Sequence, residues 1–240
     1  MIYPYKYYAI MPTKAEKYIR NQEAIKTRAI YAIFKKQKAL FIEKLEKLQE
    51  KKAYSLKEVN DDFVDPYLDE IAPDVPEYLL TVLPTIMEKG AEEAILRYKD
   101  LLPDDYALNF DLPGEPAAEY LNQLEDLMLS QRQGSILKTT RDELRGIIAR
   151  GATEGSSYGE IAKQIRETDP FVFSKARANL IAVNEIGRAY GWANHQPALD
   201  LMKQGYILEK EWQTKHDDRV RPTHVENEKA GSIPLMQPFP

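Results

Sequence analysis

The chain has 240 residues, 43% hydrophobic and 30% charged, with no cysteine, three histidines and a formal net charge of −5. This composition excludes a wholly disordered chain, disulfides, Cys-ligated zinc, iron–sulfur clusters and thiol nucleophiles; with so few histidines, neither a metal nor a cofactor is expected. No stretch approaches about 18 uninterrupted apolar residues, so no membrane span is expected, and the first residues do not read as a secretory leader.

The charge is unevenly placed. Residues 1–52 carry 13 Lys and Arg against 5 Asp and Glu, residues 53–126 carry 4 against 19, and residues 127–240 carry 16 against 14. A basic arm suits nucleic acid or an acidic protein surface, whereas the acidic middle would be repelled by DNA.

From Thr13 to Lys52 there is neither Pro nor Gly, and Thr13 with Glu16 forms an N-cap pattern. Apolar residues at Ile19, Ile25, Ile30, Ile33, Phe34, Leu40, Phe41, Leu45 and Leu48 keep helical period. A helix of that length spans roughly 60 Å. It exceeds a small domain's diameter, so its apolar stripe is expected to need a partner beyond the chain's own core. Lys26, Lys35, Lys36 and Lys38 lie along the same helix and are candidate contacts to DNA or to a protein partner; a solvated helix face is the competing reading.

A second helix is expected over Ser55–Ile71, opened by a Ser55/Glu58 capping box and kinked at Pro66. A third is expected from Pro76 to Lys99, through Pro84. Residues 103–116, with three Asp, Gly114 and flanking prolines, read as a surface loop or linker between an N-terminal helical region (1–102) and a C-terminal domain (117–240). Helices are expected at Ala117–Arg132 and Ser135–Arg150. A short helix follows at Gly159–Thr168, and a long one runs from Phe171 to about Lys203 with Ala176, Leu180, Val183, Ile186, Ala189 and Tyr190 in step. Gly205 ends it. Tyr206–Thr214 alternates and closes on Trp212, the one segment that reads as a strand. The fold class is mainly α with a small C-terminal α+β part: a long N-terminal helix and helical bundle, then helices packed on a short sheet.

After that strand, residues 216–224 hold two carboxylates, two guanidiniums and two imidazoles. In one reading Arg219 and Arg221 clamp a phosphate while His216 or His224 moves a proton, with Glu185 and Asp217 completing a phosphodiesterase-type set. In the other, Asp217 or Asp218 pairs with an Arg, His224 donates to a backbone carbonyl, and Trp212 fills a core.

The same segment resembles the C-terminal signature of the phage Mu F-like (MuF) minor head proteins: Trp212, Thr214, Asp217, Arg219, Val220, Arg221 and His224 follow that family's order and spacing. Gly155, Ser157, Glu160, Ile161 and Ala162 are similar to its Gly-x-Ser-x-x-Glu-Ile-Ala helix start. Glu185 matches its Ala-Arg-Thr-Glu, while Asn184 departs from the Thr. Gly231 keeps the Gly of an Asp/Asn-Gly turn, and the whole resemblance covers residues 155–239. Family members usually continue into a Cys-Arg-Cys ending that this chain lacks, so the strand at Tyr206–Thr214 is expected to miss a partner if that tail closes the sheet.

The resemblance implies a non-enzymatic minor capsid protein that associates with the portal inside the prohead and helps genome packaging or delivery. It would reside in the virion, with a passage through host cytoplasm during assembly. Its partners would be the portal, other head proteins and double-stranded DNA, with no membrane. A MuF module carrying a toxin is a further reading of the same family. Glu185, Trp212, Thr214, Asp217, Arg219, Arg221 and His224 are then signature residues with structural or interaction roles.

Overall fold

The computed structural model describes residues 5–8, 13–51, 59–106, 115–130, 135–168, 170–214, 216 and 220–239. The fold is mainly α with a small sheet, as the periodicity predicts. In chain order the elements are β1 (Tyr5–Tyr8), α1 (Thr13–Lys51), α2 (Val59–Ile71), α3 (Asp74–Arg97), α4 (Pro116–Leu129), α5 (Ile136–Glu154), α6 (Tyr158–Glu167), a 3₁₀ turn (Phe171–Phe173), α7 (Lys175–Lys203), β2 (Leu208–Glu211), α8 (Pro222–Lys229) and β3 (Ile233–Pro234). The Ser55/Glu58 capping box and residues 107–114 of the expected linker lie outside the described residues. No helix among the described residues is long and apolar enough to cross a membrane.

Two compact units emerge, each assembled from separated stretches of chain. The larger comprises Asn21–Ile86 and Leu108–Ala189. Its core settles the fate of the α1 stripe. Ile30, Phe34, Phe41 and Leu45 are all buried, Phe41 with no exposure at all. The Phe41 ring lies 4.9 Å from Tyr67, 5.5 Å from Phe63 and 6.2 Å from Phe173, so α2 and the 3₁₀ turn supply the cover. The expectation that this stripe needs an outside partner is therefore corrected. Of the stripe residues in this unit only Ile25 is well exposed, at 42%.

Several polar side chains within that core are paired. Gln37 donates from Nε2 to the Ile71 carbonyl at 3.1 Å and to Asp74 Oδ2 at 2.9 Å, while Tyr67 Oη donates to the Gln37 carbonyl at 2.9 Å. Gln37 thereby joins the end of α2 to the start of α3, where backbone groups lack helical partners. Arg177, 3% exposed, donates to the carbonyls of Val172 (2.7 Å) and Ile136 (3.0 Å) and to Thr140 Oγ1 (2.7 Å), and its guanidinium lies over the Phe34 ring. Burial pulls it down to about 10.

The turn into α6 explains one sequence pattern completely. Gly155 ends α5 in the left-handed region at φ 72°, which favours glycine. Ser157 Oγ then accepts the Glu160 N–H, and Glu160 Oε2 accepts the Ser157 N–H at 2.6 Å, a full capping box. Ile161 and Ala162 follow into the core. Ser-x-x-Glu-Ile-Ala is thus a helix start with two anchors.

The long helix expected from Phe171 is broken. Residues 171–173 form a 3₁₀ turn, Ser174 is extended, and its hydroxyl accepts the Arg177 N–H, which starts α7 afresh. The expected buried face is half right: Ile186, Ala189 and Tyr190 are buried, but Leu180 and Val183 are 52% and 37% exposed, Ala176 is exposed, and Ala178, Ile181 and Ala182 are buried in their place.

The smaller unit comprises Met1–Arg20, Met87–Ala107 and Tyr190–Pro240. Tyr98, Leu102, Ala198, Leu201, Leu208 and Leu235 form its core, with Tyr106 and Met202 packed at the side. Gly90 lets two helices approach closely: a Cβ there would meet the Tyr190 carbonyl oxygen at 2.6 Å, and Asn194 donates to the Gly90 carbonyl at 3.0 Å. The sheet has the order β1-β2-β3. Tyr5–Tyr8 pairs in parallel with Leu208–Glu211, and Glu209 and Lys210 pair antiparallel with Pro234 and Ile233. Two expectations change here. The strand at 208–211 is not the only one, and it has a neighbour on each side.

Candidate functional site

The signature segment is launched by the end of α7. Gly205, at φ 94°, donates to the Met202 carbonyl and Tyr206 donates to the Leu201 carbonyl, a left-handed cap that turns the chain into β2. Leu208 is buried while Ile207, just before β2, is 55% exposed; along β2 itself residues 209–211 are all half-buried, so the expected alternation shows only at its start.

Beyond Glu211 the chain leaves the sheet and two clasps hold it. The first is aromatic. The Trp212 ring lies 4.9 Å from the His224 ring and 5.2 Å from Phe239, edge-on to the latter, and Lys210 Nζ sits 4.9 Å from the centre of the Phe239 ring. Trp212 is half-buried rather than a deep core residue. His224, on the first turn of α8, spends its ring on this stack.

The second clasp is polar. Thr214 donates its backbone N–H to Glu228 Oε1 at 2.9 Å and its hydroxyl to Glu228 Oε2 at 2.8 Å. These two bonds, the backbone one foremost, hold the Glu228 carboxyl below its ordinary value, with His216 adding a smaller pull. His216 occupies the left-handed region at φ 54°, donates its N–H to Thr214 Oγ1 at 3.4 Å and places Nε2 3.4 Å from Glu228 Oε1. Glu228 is the residue that sequence reasoning missed. It lies 14 residues from Thr214, and no local spacing rule couples the two.

Asp217 and Arg219 lie outside the described residues. Arg221 is exposed and stands at the N-cap of α8, where its carbonyl accepts the His224 and Val225 N–H groups; Pro222 begins the helix. Glu185 belongs to the larger unit. It is 8% exposed, and its carboxylate meets Arg188 Nη1 at 3.1 and 3.4 Å. Burial pushes its carboxyl up, and Arg188 opposes that shift. Arg188 also lines a groove with Tyr120, Gln123 and Asp126 of α4.

The four lysines on α1 differ in what they do. Lys38 Nζ donates to the Thr168 carbonyl at 2.6 Å, at the C-terminal end of α6, where a cation complements the helix dipole. Lys35 sits 4.7 Å over the Tyr31 ring, Lys36 is exposed, and Lys26 is half-buried. No group of three or more His, Asp or Glu that could hold a metal occurs among the described residues.

Residues 142–232 match the family described as Phage Mu protein F like protein. Over this stretch the chain is similar to phage Mu F-like proteins. The match begins inside α5 and ends just before β3, taking in the capping turn at Ser157, the Glu185–Arg188 pair and both clasps. Phe239, which completes the aromatic stack, lies beyond it. The family suggests a phage head morphogenesis protein, associated with the virion. No curated protein and no solved structure matches the chain.

Proposed function

We propose that this chain is a minor head protein of a tailed phage or prophage, which joins the portal inside the prohead and assists packaging or delivery of the genome. The observation that carries the reading is the Mu F-like match over residues 142–232. The geometry supports a scaffolding role for the signature residues it describes. Trp212 and His224 are committed to a ring stack, and Thr214 is committed to Glu228, so these side chains shape a loop rather than await a substrate. In this reading the surface shaped by the two clasps meets a neighbouring head protein.

Particles purified from a host carrying the phage test the proposal. Mass spectrometry should find this chain in DNA-filled heads at a few copies, and cross-linking should join it to the portal ring. Its presence in the lysate but absence from both proheads and mature heads would refute the reading.

A further inference from the structure

We propose that the outward face of α1 between Arg28 and Lys36 contacts the phosphate backbone of duplex DNA. Residues 24–42 hold five cations, Lys26, Arg28, Lys35, Lys36 and Lys38, and no Asp or Glu. The structure then sorts these five. Lys38 is committed to the Thr168 carbonyl and Lys26 is half-buried, whereas Arg28, Lys35 and Lys36 are exposed. Among the described residues these three make no ion pair, although the chain as a whole carries excess acid. The cations further along the same helix behave otherwise: Lys44 pairs with Glu70 and Lys47 with Glu43.

The composition of the face indicates which polyanion it fits. Its other exposed members are Ala24, Ile25, Ala32 and Ala39. A protein interface of useful affinity needs buried aromatic or large aliphatic anchors. On α1 those anchors, Ile30, Phe34 and Phe41, are turned into the chain's own core. What remains outside is charge on long stems above alanines and the single Ile25, which suits phosphates and carries no base readout. Seven residues separate Arg28 from Lys35, about 10 Å of helix rise. That is close to the width of the DNA major groove, about 12 Å, so the two ends can reach phosphates on opposite sides of one groove. Such contacts predict sequence-independent, salt-sensitive binding.

This inference deepens the head-protein reading by naming the surface that would meet the genome, and it is read separately from incorporation into heads. The test is binding of the full chain to a 30-base-pair duplex by fluorescence anisotropy at several salt concentrations. The triple variant Arg28→Gln, Lys35→Gln, Lys36→Gln is compared with Lys44→Gln, Lys47→Gln, Lys163→Gln, which removes the same charge from ion-paired positions. Each lost phosphate contact should remove about 0.9 from the slope of log K against log salt, so the first triple should lose up to about 2.7 and bind at least about tenfold more weakly at low salt. The second triple should stay within about threefold of the parent. Arg28→Gln alone, with unchanged melting, covers the case of a triple that fails to fold. Equal effects of the two triples, or no binding by the parent, would overturn the proposal. So would polyglutamate binding as tightly as the duplex, which would assign the face to an acidic protein instead.

Discussion

Two hydroxyl–carboxylate clasps in this chain use the same chemistry at different ranges. At the start of α6, Ser157 gives its N–H to Glu160 and takes back the Glu160 N–H, three residues apart. At the signature loop, Thr214 gives both its N–H and its hydroxyl to Glu228, 14 residues away. In each the carboxyl is held below its ordinary value, first by the backbone N–H and then by the side-chain hydroxyl. The local clasp forms whenever the helix forms and can be read from the sequence. The distant one exists only after β2 and α8 have been brought together, so it reports tertiary structure.

The largest expected effect lies on the helical side. Phe41→Ala should cost about 3–5 kcal/mol in chemical denaturation, because the ring is fully buried against three others. On the sheet side Trp212→Ala should cost less, about 2 kcal/mol, since the indole is half-buried between His224 and Phe239. A Trp212 loss as large as that of Phe41 would mean that the signature stack carries its unit's core.

The Glu185–Arg188 pair probes burial directly. Arg188→Ala leaves a carboxylate that is only 8% exposed without its partner and should cost about 1–2 kcal/mol at pH 7. Adding Glu185→Gln should return most of that loss. Burial raises the Glu185 carboxyl, so the protonated form suits the fold, and any penalty grows as pH rises through the folded value. Melting temperatures of the two variants across pH 4–8 check both statements.

The smallest effect separates the clasps themselves. Glu160 and Glu228 both have lowered values, so their contributions are complete above the ordinary carboxyl value of 4.5 and fade as pH falls through the lowered folded values. Ser157→Ala and Thr214→Val should each flatten the acid limb below about pH 4.5 and leave the neutral limb's shape alone. Glu228→Gln also removes the carboxylate that accepts the Thr214 backbone N–H, which Thr214→Val keeps; an acid limb unchanged in Glu228→Gln would mean that Glu228 does not hold the loop.

Much of this architecture was legible from local pattern. The α1 period, the left-handed turn at Gly205 and the Leu208/Ile207 alternation depend on residues within a few positions of one another, and the structure keeps them. The start of α7 was misread because an unbroken apolar run hides a serine that can restart a helix. The N-terminal half of its buried face was misread, though Ile186, Ala189 and Tyr190 are buried as expected, because apolar residues lie on more than one side, and neighbours decide which side is covered. The signature residues could be listed from the sequence, and Arg188 stands at the i+3 spacing from Glu185 that a helix pairs, but Glu228, 14 residues from Thr214, could not be found that way.

By itself the amino-acid order determined most of the helical segments, though not α8, where Ser157 and Gly205 cap them, and where the charge lies, because each depends on hydrogen bonds or spacing within a single turn. Tertiary structure decided the rest: that β2 is flanked by the distant Tyr5–Tyr8 and by Ile233–Pro234, that the α1 stripe is covered from within, and that Arg28, Lys35 and Lys36 are exposed and unpaired with any carboxylate among the described residues. The physical reason is range: a residue's partner across a core is chosen by the burial of the whole chain, and that choice leaves no mark in the spacing of its neighbours.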